Sequence, residues 1–187
     1  MKVMMILGSR NLQGQTARAA EAIRQGMEAA GSEVEVVFLP KLHLDHCHQC
    51  QDSGWGRCAW DTACGGADDD FMPLVEKLKA ADAVVFATPV YWGDLSESLR
   101  AFLDRLRRIS WHAPDTRLFA GKKAIGICVA GGGGGGAPTC TVSLENVLST
   151  CGFDLVDLIP VRRQNLQFKL GILRETGKWL AAGAPEE

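Results

Sequence analysis

A short apolar run, Met4–Leu7, ends at Gly8 and passes through Ser9-Arg10-Asn11-Leu12-Gln13-Gly14-Gln15-Thr16 into an alanine-rich helical pattern. A strand, a small polar turn and a helix in that order leave the helix's first N–H groups facing the turn. Those groups carry partial positive charge, so the turn is a natural anion site. Its spacing is neither G-x-G-x-x-G nor G-x-x-x-x-G-K-[ST], and no lysine is placed for a γ-phosphate. This disfavours a dinucleotide fingerprint and a nucleoside triphosphatase loop. The turn is read as a phosphate site of unstated owner.

The rest of the chain repeats the strand-then-helix alternation. Apolar runs at 2–7, 33–39, 83–87, 124–130 and 153–159 read as strands, and the second alternates with acidic residues as an edge strand would. Between them Ala20, Ile23 and Met27 form a helical stripe, as do Phe71, Leu74, Val75 and Leu78. Leu99, Phe102, Leu103 and Leu106 form a third, and Asp94 with Glu97 has capping-box spacing before it. Cys140, Leu144, Val147, Leu148 and Cys151 form a fourth stripe; Leu166, Leu170, Leu173 and Leu180 suggest a closing helix that Gly171 and Gly177 weaken. Five strands alternating with helices predict an α/β fold, a doubly wound parallel sheet with helices on both faces. The 187 residues are expected to form one domain, 1–187, with a cysteine-containing excursion at 40–68.

Parallel sheets bind ligands at the carboxyl ends of their strands, so the loops after the first, third and fourth strands belong together. The second of these reads Thr88-Pro89-Val90-Tyr91-Trp92-Gly93-Asp94. Its two adjacent aromatics suit a flat ring, or they simply cover the sheet end. The third is Gly131–Gly136, six glycines that either admit close backbone approach or act as a hinge.

Seven cysteines are present, four of them as C-x2-C-x7-C-x5-C at Cys47, Cys50, Cys58 and Cys64. Such thiols suit a [4Fe–4S] cluster, a tetrahedral zinc, or redox chemistry without a metal. Cys128, Cys140 and Cys151 read as small core residues. A net charge of −2 predicts no nucleic-acid partner, and the chain has no apolar run approaching the roughly 18 residues of a membrane span. A cytoplasmic location is expected, with no secretory leader read at the N-terminus.

Gly8–Thr16 (G-S-x4-G-x-T), Thr88–Gly93 and Leu99–Arg105 (LRAFLDR) together resemble the flavodoxin-like NAD(P)H-dependent FMN reductases, and more narrowly their iron–sulfur flavoprotein branch. The resemblance covers about residues 1–160. It implies strand order 2-1-3-4-5, FMN as cofactor, NAD(P)H as co-substrate, and chemistry on the flavin ring without a side-chain acid or base. Ser9, Asn11, Gly14, Gln15 and Thr16 would hold the phosphate, with Arg10 the alternative to Asn11 because relatives carry Pro-Arg at these two positions. Pro89, Val90, Tyr91, Trp92 and Gly93 would flank the ring on one side and Gly131, Gly132 and Gly133 on the other. From the residues themselves, Trp55, Trp60 and the 40–68 excursion are expected to wall the open face. Relatives place a cluster in the cysteine excursion with a tighter C-x2-C-x2-C start, where this chain has Ser53 in the third place. A homodimer or homotetramer is implied, serving a small-molecule or protein electron acceptor. The competing readings are a quinone or nitroaromatic reductase on the same flavin, a flavodoxin-type electron carrier, and a phosphate-ligand sensor without flavin.

Overall fold

The computed structural model describes residues 1–113 and 117–183. Strands β1 (Lys2–Leu7), β2 (Glu33–Phe38), β3 (Ala83–Pro89), β4 (Lys123–Ala130) and β5 (Asp154–Arg162) alternate with helices α1 (Gln15–Ala29), α2 (Phe71–Ala80), α3 (Glu97–Trp111), α4 (Ala137–Cys151) and α5 (Leu166–Ala181). The sheet is parallel throughout in the order β2-β1-β3-β4-β5. The flavodoxin-like order predicted for five strands is thus the observed one.

The central strands are buried on both faces, which is why they read as unbroken apolar runs. Val3, Met5 and Leu7 pack with Val85 and Ile127 under α1 and α5, while Met4, Ile6, Val84 and Phe86 pack under α2, α3 and α4. Cys128, Cys140 and Cys151 are fully buried in the second layer. Desolvation pushes the Cys151 thiol up to about 12, so it stays protonated and inert.

The glycines that weaken α5 have a packing use. A Cβ on Gly177 would lie 2.2 Å from the carbonyl oxygen of Ile23, and one on Gly26 would lie 2.0 Å from that of Arg174. The two helices therefore meet backbone to backbone at these points, which a side chain would prevent.

The entry to α3 differs from the capping box expected of Asp94 and Glu97. Ser96 is the N-cap, and its hydroxyl accepts from the Leu99 N–H at 3.4 Å. Asp94 instead accepts from the Leu95 N–H at 2.7 Å and from Arg100 at 2.5 Å. Two residues before the cap, its carboxylate is better used to stiffen the loop than to meet the helix. Among the described residues no helix is long and apolar enough to cross a membrane.

Candidate functional site

Strand order reverses between β1 and β3, so their outgoing loops part there and leave a crevice. The register sets Leu7 beside Ala87 and Pro89 beside Val129, bringing the ends of β1, β3 and β4 to one edge. A cavity of about 550 Å³ opens at this edge. It is lined by Ser9, Asn11, Gly14, Gln15 and Thr16 from the first loop, Pro89, Val90 and Tyr91 from the second, and Gly131 and Gly132 from the third. Three loops distant in sequence converge as expected. Val129, Ala130 and Gly135 also line it; no motif marked them, and register alone places them there.

The first loop leaves the start of α1 open. Gly14 is the N-cap of α1 with extended backbone and no side-chain cap, and no acidic residue occupies the first turn. Asn11 folds back to accept from the Gln13 N–H at 3.0 Å, with its own carbonyl 3.3 Å from the Ser9 hydroxyl. Gln15 Oε1 is buried with no hydrogen-bond partner. An orphaned buried acceptor costs about 1–3 kcal/mol, so this oxygen has capacity for one donor. Arg10 is highly exposed and pairs with Glu97 at 3.7 Å, outside the cavity. Of the two neighbours, Asn11 is the one at the site.

Gly8 is needed because β1 passes tightly under α3: a Cβ there would lie 2.3 Å from Ser96 Oγ. Ser96 N–H donates to Thr88 Oγ1 at 3.0 Å and Ser98 Oγ donates to the Gly8 carbonyl at 3.3 Å. These buried polar contacts tie the ends of β1 and β3 to the start of α3 and fix the crevice's floor.

The second loop ends in a two-residue turn. Tyr91 and Asp94 exchange both backbone hydrogen bonds, at 2.9 and 3.0 Å. The turn residues Trp92 and Gly93 both have positive φ, +54° and +81°, as this tight turn demands. Trp92 is consequently thrown outward and is fully exposed, at 104%. Neither its indole nor Gly93 lines the cavity, whereas half-exposed Tyr91 does. Gly133 is likewise not part of the lining. Trp55 and Trp60 do not wall the cavity: Trp55 is stacked under Arg108 at 4.0 Å, and Trp60 is exposed. Asp94, behind the turn, is held below the usual carboxylate range: burial opposes its ionisation, but the Leu95 N–H, Arg100 and Ser143 outweigh it.

The four clustered cysteines line a different cavity, about 20 Å³ in volume, together with Arg57, Arg105 and Arg108. The excursion is fastened by Arg105 on α3, which pairs with the buried Asp69, donates to the Asp45 carbonyl at 3.1 Å and lies 3.4 Å from Cys64 Sγ. A four-iron cluster does not fit this arrangement. The space matches a single water molecule, and among the described residues no three His, Cys, Asp or Glu side chains are placed to hold a metal ion.

The comparisons agree with the geometry. An iron–sulfur flavoprotein of Archaeoglobus fulgidus is 29% identical over 146 residues, covering 77% of this chain and 66% of that protein. This chain thus spans just under two thirds of that relative's length. One of Methanocaldococcus jannaschii is 28% identical over 171 residues, covering 91% of this chain and 80% of its own. Among solved structures, the NAD(P)H:quinone oxidoreductase from Methanothermobacter marburgensis has the same fold, with a TM-score of 0.72, 21% identity and 96% of each chain covered. The sequence profile of NADPH-dependent FMN reductase matches residues 1–164, and the chain belongs to that family.

Proposed function

We propose that the protein is an FMN-dependent oxidoreductase that passes electrons from NAD(P)H to a free flavin, a quinone or a redox partner. The observation that carries this reading is the shared cavity of about 550 Å³, with an uncapped helix N-terminus at one end and apolar and glycine walls at the other. Its volume lies within the range of about 300–1,000 Å³ typical of small-molecule sites. When bound, FMN supplies hydride acceptance from a nicotinamide and release of electrons singly or in pairs.

The chain's own residues do the positioning. Ser9, Asn11, Thr16 and the first N–H groups of α1 bind the phosphate; Gln15 Oε1 receives a donor from the ligand. Pro89, Val90 and Tyr91 form one wall, and Gly131 and Gly132 present backbone without side chains on the other side. No side chain is asked to transfer a proton.

The relatives' name points to Cys47, Cys50, Cys58 and Cys64 as cluster thiols, but as placed they leave a space of about 20 Å³, and among the described residues no three such groups are set to hold a metal ion. Iron and sulfide analysis of anaerobically purified protein is expected to show no stoichiometric cluster; four irons per chain would contradict this. Exposed Trp92, Trp111, Phe168 and Trp179 support a homodimer or homotetramer, which light scattering will read as a multiple of the chain mass of 20.2 kDa.

The test of function is steady-state oxidation of NADH and NADPH by FMN-loaded protein with free FMN, menadione or ferricyanide as acceptor. Turnover with at least one acceptor is expected. Tight FMN binding without turnover would replace the enzyme with an electron carrier, and colourless protein that binds phosphate alone would replace both.

A further inference from the structure

Six consecutive glycines have more conformations to lose than any other hexapeptide, so whatever orders Gly131–Gly136 controls one wall of the cavity. Within the loop, Gly134 N–H closes a turn on the Gly131 carbonyl at 2.7 Å, with Gly132 at φ +46°. The tip of that turn is gripped from outside by Gln164. Its Nε2 donates to the Gly133 carbonyl at 2.9 Å. Its Oε1 fills the space beside Gly134, where a Cβ would come within 2.2 Å. Gln164 itself stands on a short 3-10 turn, Arg163–Asn165, fixed by the Arg162 N–H donating to Asn165 Oδ1 at 2.8 Å. The side chain is solvent-exposed and supports no core packing.

We propose that Gln164 is a positioning residue for the flavin wall. By holding the carbonyl of Gly133, which is not part of the lining, it keeps Gly131 and Gly132 in the arrangement that lines the cavity. This rests on the reading of the cavity as an FMN site. A hydrogen bond from a rigid turn to a loop of this composition selects one conformation among many, so its loss acts on ligand affinity and not on the folded core. The side chain touches neither the cavity nor the reacting atoms. It acts through the loop.

The test compares wild type with Q164E, which keeps the shape but removes the donor, and Q164M, which removes both polar atoms. Each is titrated with FMN, and FMN release and the visible circular dichroism of the bound flavin are recorded. A rise in FMN Kd of about five- to tenfold is expected for both variants, the net value of one hydrogen bond. It should appear as faster release, with an altered flavin dichroism and an unchanged apoprotein melting temperature. Variants with wild-type affinity, release rate and dichroism overturn the proposal while leaving the FMN site standing. A parallel fall in apoprotein stability also overturns it, because the role is then structural. Wild-type protein that binds no FMN overturns the functional reading and this inference together.

Discussion

Gly93 and Gly136 meet backbone to backbone: a Cβ on Gly136 would lie 2.7 Å from Gly93 Cα and 3.2 Å from Val90 Cγ1. One residue closes the loop after β3 and the other opens α4 after the glycine run, so their contact joins two walls of the cavity. Both have positive φ, +81° and +80°. Gly136→Ala is therefore expected to cost about 2–4 kcal/mol, from the left-handed backbone and the clash together. Thermal melting checks the stability loss, and an FMN titration should show weakened binding. A variant as stable as wild type would show that the loops do not touch.

Trp92 has the opposite problem. A bulky residue at φ +54° stores strain of roughly 1–3 kcal/mol, and its exposed indole makes no contact that repays it within the chain. Trp92→Gly should raise the melting temperature of the monomeric apoprotein by a few degrees. Indole fluorescence of the variant should lack a component that iodide readily quenches in wild type. A lower melting temperature in the variant would mean that the indole is packed.

The first loop places its two adjacent polar side chains differently, Asn11 in the cavity lining and Arg10 outside it. Asn11→Ala should weaken FMN binding about five- to tenfold, because it removes a cavity-lining group and the bond to the Gln13 N–H. Arg10→Ala should change affinity less than about twofold, since the Arg10–Glu97 pair is exposed and such pairs contribute little. Reversal of this order would mean that Arg10 swings to the phosphate.

Acid stability should report on Asp69. Burial opposes its ionisation, but Arg105 and the N–H groups of Asp45 and Phe71 outweigh that and hold its carboxyl below the usual range. A carboxyl with a depressed folded-state value binds fewer protons folded than unfolded. Its contribution is complete above about pH 4, the unfolded value, and is lost as the pH falls through the lower folded value. At pH 7, Asp69→Asn is expected to cost about 3–5 kcal/mol by leaving Arg105 buried and unpaired. Denaturant melts between pH 7 and 3 should show a flatter acid profile for the variant; identical slopes would remove Asp69 from the account.

The sheet was legible because doubly buried strands and amphipathic helices leave different periods in the chain, and the convergence of the three loops followed from topology. Asn11, Gln15, Tyr91 and the glycine run were readable as residue types suited to phosphate or a flat ring. Trp92 was misplaced because its side-chain direction depends on a turn whose backbone bonds no composition reveals. The Ser96 cap lay one residue before the Glu97 of the expected capping box, and only the helix's true start distinguishes them. Arg105 carried a weak signal, a charge within the LRAFLDR stripe, but its partner was one of three adjacent aspartates. Gln164 had none: it acts through a hydrogen bond to a carbonyl 31 residues away, which only the fold brings near.

The most direct test of the central claim is an anaerobic titration of FMN-reconstituted protein with NADPH, and separately NADH, followed by flavin absorbance. Stoichiometric FMN binding is expected, with bleaching of the oxidised flavin bands by about one equivalent of at least one nucleotide. Flavin that stays oxidised under excess of both, or protein that retains no FMN, would contradict it.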